Sequence, residues 1–417
     1  MKKKCFIEVF SGAGGLSEGF IRAGFEGIAH VEMNKEACLT LETRAIYHYL
    51  KRKNKLGIYK QYLQGFITRN ELIESFGIPS DVLKSVINKE ISDKTIESIF
   101  QSIDDRLLGR TPDLLIGGPP CQAYSIVGRA RDPNKMKEDP RNHLYLYYVE
   151  FLKKYQPKVF VFENVPGILS ANNGSQLGKI FDAIKAVGYN VEYKVLNSKN
   201  FNVLQDRKRV IIIGSRSDLD FQYPDFKEKD LSDSKKGFGE LYRDLKFLKH
   251  GEGIMGAVDY AKDTISDYLK ESKIRTEEDE FVTQHIVRPN NENDLQIYRL
   301  AVEFKSKGKN LNYRDDVPQH LKKHKNESSF LNRFNVVAED NLSQTVVAHI
   351  AMDGHYYIHP DINQNRSISI REAARIQSFP DNYFFEGSRT AAFKQIGNAV
   401  PPLLAEGIAK EILKKLK

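Results

Sequence analysis

From residue 4 to residue 10 the chain carries a β-branched and aromatic run, and the stretch SGAGGLSEGF that follows passes into apolar positions at helical spacing through Ile21 and Phe25. This pattern predicts a strand, a Gly-rich turn and a helix. A second strand is expected at about 27–31, ending at Glu32, and further strands at 113–116, 158–163 and 210–214. Strands of this kind, alternating with helical segments, predict the α/β class with a doubly wound, mostly parallel, Rossmann-like sheet. Residues 51–105 hold Lys, Glu, Ile and Leu at helical spacing and read as an inserted helical segment to which no chemistry attaches. From 217 to 335 the periodicity dissolves into polar stretches with dispersed aromatics such as Phe238, Tyr242, Phe247 and Tyr260, which reads as a smaller, irregular domain. Helical patterns return at 369–379 and 402–416, so 336–417 is expected to rejoin the first domain, 1–216.

Composition narrows this frame. Lys and Arg outnumber Asp and Glu by 63 to 55, a net charge of +8 that favours a polyanionic partner. The three cysteines, Cys5, Cys38 and Cys121, have neither the number nor the spacing of a disulfide framework or a zinc site, so a reducing, intracellular setting is expected. The basic start MKKK meets Gly and polar residues too soon for a signal-peptide core, and no apolar run approaches a membrane span.

Four constellations carry candidate chemistry. In the first, Phe10, Ser11, Gly12, Ala13, Gly14 and Gly15 place glycines at a strand-to-helix turn, where a ligand can approach the backbone and the helix N-terminus. Glu32, 22 residues after Phe10 at the next strand end, can hydrogen-bond ribose hydroxyls. With no basic residue at Ser11 or Gly12 to cradle phosphates, a phosphate-free nucleoside cofactor fits better than a dinucleotide. The second is GGPPCQAYS, 117–125, where two prolines hold the backbone rigid before Cys121 at a strand terminus, a placement that suits a nucleophile. The third is Glu163 in ENV, at the end of the apolar strand VFVF, where desolvation would favour a protonated carboxyl able to donate to a ring nitrogen. The fourth is QDRKRV, whose alternate residues Gln205, Arg207 and Arg209 would share one face of a strand.

Taken in order, FSGAGGLSEGF, Glu32, GGPPCQAYS, ENV, QDRKRV, REAARIQSFPD and QIGNAVPP resemble the successive motifs of the C5-cytosine DNA methyltransferases, over about residues 5–216 and 340–410. The resemblance implies S-adenosylmethionine as cofactor, S-adenosylhomocysteine as its product, and no metal. It implies that Phe10 stacks on the adenine, that Glu32 holds the ribose with Met33 beside it, and that the turn from Ser11 to Leu16 meets the methionine part. Asn398 and Val400 would close that pocket. The acid expected to meet the cofactor's amino group is one of Glu97, Asp104 and Asp105. Cys121 would be the nucleophile, Glu163 the partner of cytosine N3, and Arg209, with Arg207 nearby, the group that contacts the base. Addition of a thiolate to C6 requires approach perpendicular to the ring, so the target base must leave the stack. The loop bearing Gln122, Ser125, Val127, Gly128, Arg129, Arg131 and Arg141 would close over double-stranded DNA, and 217–335 would be the target recognition domain.

A cytoplasmic, nucleoid-associated bacterial or phage modification enzyme is therefore expected, monomeric, with no membrane partner and with any cognate restriction endonuclease acting separately. Three other readings compete. A tRNA cytosine C5 methyltransferase shares PPCQ and ENV, but its CFT motif is not found between Gly214 and Ile370. A catalytically idle DNA-binding module would not need Cys121, Glu163, Arg207 and Arg209 together. A nicotinamide oxidoreductase, suggested by the glycines alone, leaves PPCQ and QDRKR unexplained.

Overall fold

The computed structural model describes residues 3–119, 143–228, 238–323, 326–339 and 341–416. Its first unit is β1 (Cys5–Val9), the Gly-rich turn and α1 (Gly15–Arg22), followed by β2 (Glu26–Glu32) and α2 (Lys35–Arg52). Three short helices come next, α3 (Leu56–Leu63), α4 (Arg69–Glu74) and α5 (Ser80–Leu83), then β3 (Val86–Asn88), α6 (Ile96–Leu107) and β4 (Leu114–Gly117). The chain continues through α7 (Leu144–Tyr155), β5 (Val159–Asn164), α8 (Ser175–Ala186), β6 (Tyr189–Asn197) and β7 (Lys208–Arg216).

These strands form one seven-stranded sheet in the order β3-β2-β1-β4-β5-β7-β6, parallel except that β7 runs against both of its neighbours. The order steps from β1 outward to β3 and then jumps back to β4 on the other side of β1. That reversal opens a crevice at the carboxyl ends of β1 and β4, the position where such sheets bind ligands. Side-chain alternation divides the strands between two apolar layers. Ile7, Val9, Leu115, Phe160 and Phe162 pack with Ile99, Ile103, Phe151 and Leu152 of α6 and α7. Phe6, Leu114, Ile116, Val159 and Val161 pack with Phe20 of α1 and Leu404, Ile408 and Ile412 near the C-terminus.

The stretch 51–105, read from its spacing as a helical insert, also contributes sheet: after α3 to α5 the chain returns as β3 beside β2, and α6 covers the sheet. A strand of three residues is too short to show alternation, and α6 masks it. β6 was also not anticipated, because it is the far edge strand and five of its nine residues, Asn190 and the run Glu192, Tyr193, Lys194 and Val195, are exposed, so no alternation marks it.

Beyond β7 lie α9 (Phe238–Tyr242), β8 (Ala257–Asp259), α10 (Asp267–Ser272), β9 (Phe281–Thr283) and α11 (Glu292–Ser306). Then come α12 (Ile370–Ile376), α13 (Arg389–Asn398) and α14 (Pro402–Lys415). Every residue of α12 is buried, and its core contacts include Leu241, Tyr242, Tyr268 and Leu269 from the irregular region. Its charged side chains are neutralised in place. Arg375 lies 2.6 Å from Asp244 and 2.5 Å from Asp381, and Arg371 donates to the carbonyls of Thr283 and Tyr383. A buried arginine with each donor matched in this way fixes a geometry more than it adds stability. α11 packs Leu295, Ile297, Tyr298 and Ala301 into a separate small core with Leu311, Tyr313 and Phe334.

Candidate active site

The Gly-rich turn leaves β1 through three left-handed residues, Phe10, Gly12 and Gly14, with φ of 56°, 53° and 78°. Gly14 caps α1, and a Cβ there would stand 2.7 Å from Leu41 Cδ2 and 2.9 Å from the Tyr383 hydroxyl, so both conformation and space demand glycine. The Glu32 carboxylate reaches back into this turn. Its Oε2 accepts from Gly12 N at 2.7 Å, while Oε1 accepts from Met33 N at 3.0 Å and Asn34 N at 2.8 Å. Beneath the turn, Glu8 in β1 is buried, lies 2.8 Å from His30 Nδ1 and accepts from Ser17 N at 3.2 Å, a negative group at the N-terminus of α1.

Next to the turn, the register pairs Val9 of β1 with Gly117 of β4, and Gly117 with Phe162 of β5, so three strand ends open at one level. A Cβ on Gly117 would fall 2.2 Å from the Val9 carbonyl oxygen, and one on Gly118 would fall 2.7 Å from Glu163 Oε2. The paired glycines therefore let the β4 strand end lie against β1 on one side and the Glu163 carboxyl on the other. Asn164 donates from Nδ2 to the Pro119 carbonyl at 3.5 Å, tying ENV to the chain just beyond β4. Cys121, Gln122, Ser125, Val127, Arg129, Arg131 and Arg141 lie outside the described residues.

Glu163 is half of an ion pair: Arg209 Nε stands 2.7 Å from its Oε1, with both side chains largely buried. The pairing follows from the antiparallel register of β5 with β7, which sets Glu163 opposite Ile211 and puts Arg209 on the same face two residues away. The pair joins two of the constellations read from the sequence, the strand-end acid of ENV and a guanidinium of QDRKRV. Arg207 faces elsewhere. It is fully buried and donates to the carbonyls of Val346 at 2.5 Å, Gly397 at 3.2 Å and Ala399 at 2.9 Å. Gln205 and Gln377 complete the brace, Gln205 accepting from Val346 N at 2.9 Å and Gln377 donating to the Ile396 carbonyl at 2.7 Å. The two arginines of QDRKRV thus divide their work, one holding the carboxylate and the other holding the GNAV turn.

The remaining expected residues fall into two groups. Phe10 is half-buried, Glu32 is half-buried, and Met33 and Asn398 are exposed at the rim. Ser11 and Ala13 are buried within the turn, and Leu16 and Val400 send their side chains into the apolar layer under α1, so only their backbones face the crevice side. Gly15 packs directly on the Val400 carbonyl, where a Cβ would come within 2.2 Å. Glu97, Asp104 and Asp105 all lie on α6, Asp104 beside Lys154 and Asp105 accepting from Gln101. The strand end itself is Asn88, opposite Glu32, and the first acid beyond it is the exposed Glu90. A three-residue strand gave no pattern by which Glu90 could be singled out.

Among the described residues no group of His, Cys, Asp and Glu side chains is placed to hold a metal ion, and no helix is long and apolar enough to cross a membrane. A family model described as C-5 cytosine-specific DNA methylase matches residues 5–59 and 81–414. The Type II methyltransferase M.Bpa9945I of Bacillus paralicheniformis is 41% identical, over 97% of this chain and 98% of its own length. The Type II methyltransferase M.DdeI of Desulfomicrobium norvegicum is 30% identical, over 98% of this chain and 88% of its own length. Among solved structures, a candidate DNA modification methyltransferase encoded within a prophage of E. coli aligns over 99% of both chains, with a TM-score of 0.63 and 21% identity, a likeness of fold.

Proposed function

The chain belongs to the C-5 cytosine-specific DNA methylase family and is a DNA cytosine-5-methyltransferase, and we propose that it methylates a cytosine flipped out of a specific double-stranded DNA sequence, using S-adenosylmethionine and a covalent bond from Cys121 to C6. The observation that supports this most is the meeting of three strand ends in one crevice, with the Gly-rich turn and Glu32 on one side and the Glu163–Arg209 pair beside Gly118 on the other.

The residues present fit the cofactor. A Cβ at Gly12 would meet no heavy atom within 4 Å, so the turn offers bare backbone to open space on that side. Glu32 is held by three backbone N–H groups, and its Oε2 takes only one of them, which leaves acceptor capacity for ribose hydroxyls. Phe10 and Met33 would flank the adenine, Glu90 would be the acid nearest its amino group, and Asn398 would close the rim. When bound, S-adenosylmethionine supplies a methyl group on a positively charged sulfur, which departs as S-adenosylhomocysteine.

This chain's own groups would act on the base. The Cys121 thiolate adds to C6, and the electron pair of the C5–C6 bond becomes available at C5, which bonds to the methyl carbon. Glu163 meets N3 as negative charge arrives on the ring, and Arg209 holds that carboxyl in place. Loss of the C5 proton and expulsion of the thiolate restore the aromatic ring. Arg207, closed off from the crevice, would be a positioning residue for the GNAV turn.

Site choice would reside in 217–335, the proposed target recognition domain, with 1–216 and 336–417 forming the catalytic domain, because the motif-bearing segments serve one base and one cofactor whatever the sequence. The likeness to Type II methyltransferases supports a modification role; a separate cognate endonuclease, a monomeric state and a cytoplasmic, nucleoid-associated location are part of the same proposal. Bisulfite sequencing of plasmid DNA from cells expressing the chain should show 5-methylcytosine in one sequence context. Substitutions of Arg, Lys, Asn or Gln in 217–335 should relax that context at single positions, since base-edge contacts are worth about 1–3 kcal/mol each. Arg129→Ala and Arg131→Ala should lower its extent without altering the context, as lost phosphate contacts do. A context that no change in 217–335 alters would refute the division.

A further inference from the structure

The peptide unit joining Ala13 to Gly14, at the centre of the Gly-rich turn, is held at both of its polar atoms. Gly14 N donates to the Ser11 carbonyl at 3.0 Å, a contact local to the turn. The Ala13 carbonyl accepts from the Tyr383 hydroxyl at 2.5 Å, a contact from 370 residues away. Tyr383 is itself packed on several sides. It is only 1% exposed, its ring stacks at a tilt on Phe379 and Phe385, and the Arg44 guanidinium lies 4.8 Å from its centroid. Its own carbonyl accepts from Arg371 Nη2 at 2.8 Å, the same arginine that donates to the carbonyl of Thr283 at the end of β9. Burial, with Glu18 nearby, keeps the hydroxyl well above the ordinary tyrosine range, so it stays protonated as a donor.

The consequence concerns the rest of the turn. Rotating one peptide unit turns its own carbonyl and N–H together and changes the backbone torsions on either side of it, and with three left-handed residues the turn has several such orientations open to it. The local Gly14–Ser11 bond alone constrains one atom. We infer that Tyr383 is a positioning residue for the cofactor: its hydroxyl locks the Ala13–Gly14 peptide so that the turn is set for the nucleoside methyl donor before binding. This rests on the reading of the Gly-rich turn as the S-adenosylmethionine site. It also means that the segment carrying Tyr383, which reaches Tyr260 and Asp279 through Asp381 and Asn382, ties the cofactor turn to the irregular region.

Tyr383→Phe keeps the ring and its packing and removes the single oxygen, leaving a nearly buried carbonyl without that donor. Titration calorimetry with S-adenosylhomocysteine should show Kd raised by about tenfold, since a turn no longer set in advance must be ordered on binding. In assays with varied S-adenosylmethionine, KM should rise more than kcat falls, and affinity for a DNA duplex without cofactor should match the wild type. Circular dichroism with thermal melting identifies any general loss of fold, and Tyr383→His, which can restore a ring donor, should recover part of the affinity. A Tyr383→Phe protein that is folded and binds S-adenosylhomocysteine as tightly as the wild type would overturn the inference alone. A wild-type protein that does not bind S-adenosylhomocysteine would overturn the cofactor reading beneath it.

Discussion

Cys121→Ala is expected to abolish methyl transfer while leaving the affinity for S-adenosylhomocysteine nearly unchanged. In the proposed reading the two functions fall on different elements: the cofactor contacts would come from the turn after β1 and from Glu32 at the end of β2, whereas Cys121 lies in sequence after β4, two residues beyond Pro119. Without the thiolate there is no covalent step to make C5 nucleophilic, and C5 of an intact cytosine ring is a poor nucleophile. Single-turnover transfer of a labelled methyl group, measured beside calorimetry, separates the two. Transfer at an appreciable fraction of the wild-type rate would remove Cys121 from the mechanism.

Glu163→Gln should slow the same single-turnover step by about 100-fold or more, the scale of a lost general acid or base. The amide retains an oxygen that can accept from Arg209 Nε, so the contact across β5 and β7 survives in form. Thermal stability and DNA affinity should therefore change much less than the rate. What the amide loses is the carboxyl's ability to share a proton with N3 of the ring. An unchanged rate would show that Glu163 only supports Arg209 and the β4 strand end.

The parts of this site that were legible in the sequence are those where the backbone is unusual. Glycines in FSGAGG and GGPPC mark places where strands and side chains come too close for a Cβ, as the distances from Gly15 to Val400 and from Gly118 to Glu163 show. Strand-end acids such as Glu32 and Glu163 follow long apolar runs, so their place at the carboxyl edge could be read directly. The less legible parts depend on contacts between distant segments. Arg207 and Arg209 look alike in QDRKRV, yet one is enclosed by the carbonyls of 346, 397 and 399 while the other meets Glu163, a difference set by strand register and by the GNAV turn. Tyr383 sits in an ordinary aromatic run, and only the folded chain brings its hydroxyl to Ala13.

Polar sequence misled in the other direction as well. α11 spans 15 residues in a region that reads as aperiodic, because its buried positions Leu295, Ile297, Tyr298 and Ala301 are outnumbered by Asn, Glu, Arg and Lys on the open face. α12 shows the converse: REAARI carries three charged residues, yet all are buried because each guanidinium or carboxylate meets a partner, as Glu372 does with Arg366 at 2.7 Å. Part of that matching comes from more than 80 residues away, Thr283 for Arg371 and Asp244 for Arg375, and periodicity holds no record of it.

A duplex carrying 5-fluorocytosine at the methylated position tests the bond proposed between the Cys121 sulfur and C6 of the target cytosine. Fluorine cannot leave C5 as a proton does, so once the methyl group has arrived the thiolate cannot be expelled. With S-adenosylmethionine present, a protein–DNA adduct is expected that survives denaturing electrophoresis and whose linked peptide contains Cys121. Active enzyme that methylates ordinary cytosine but forms no such adduct, or an adduct through another residue, would contradict it.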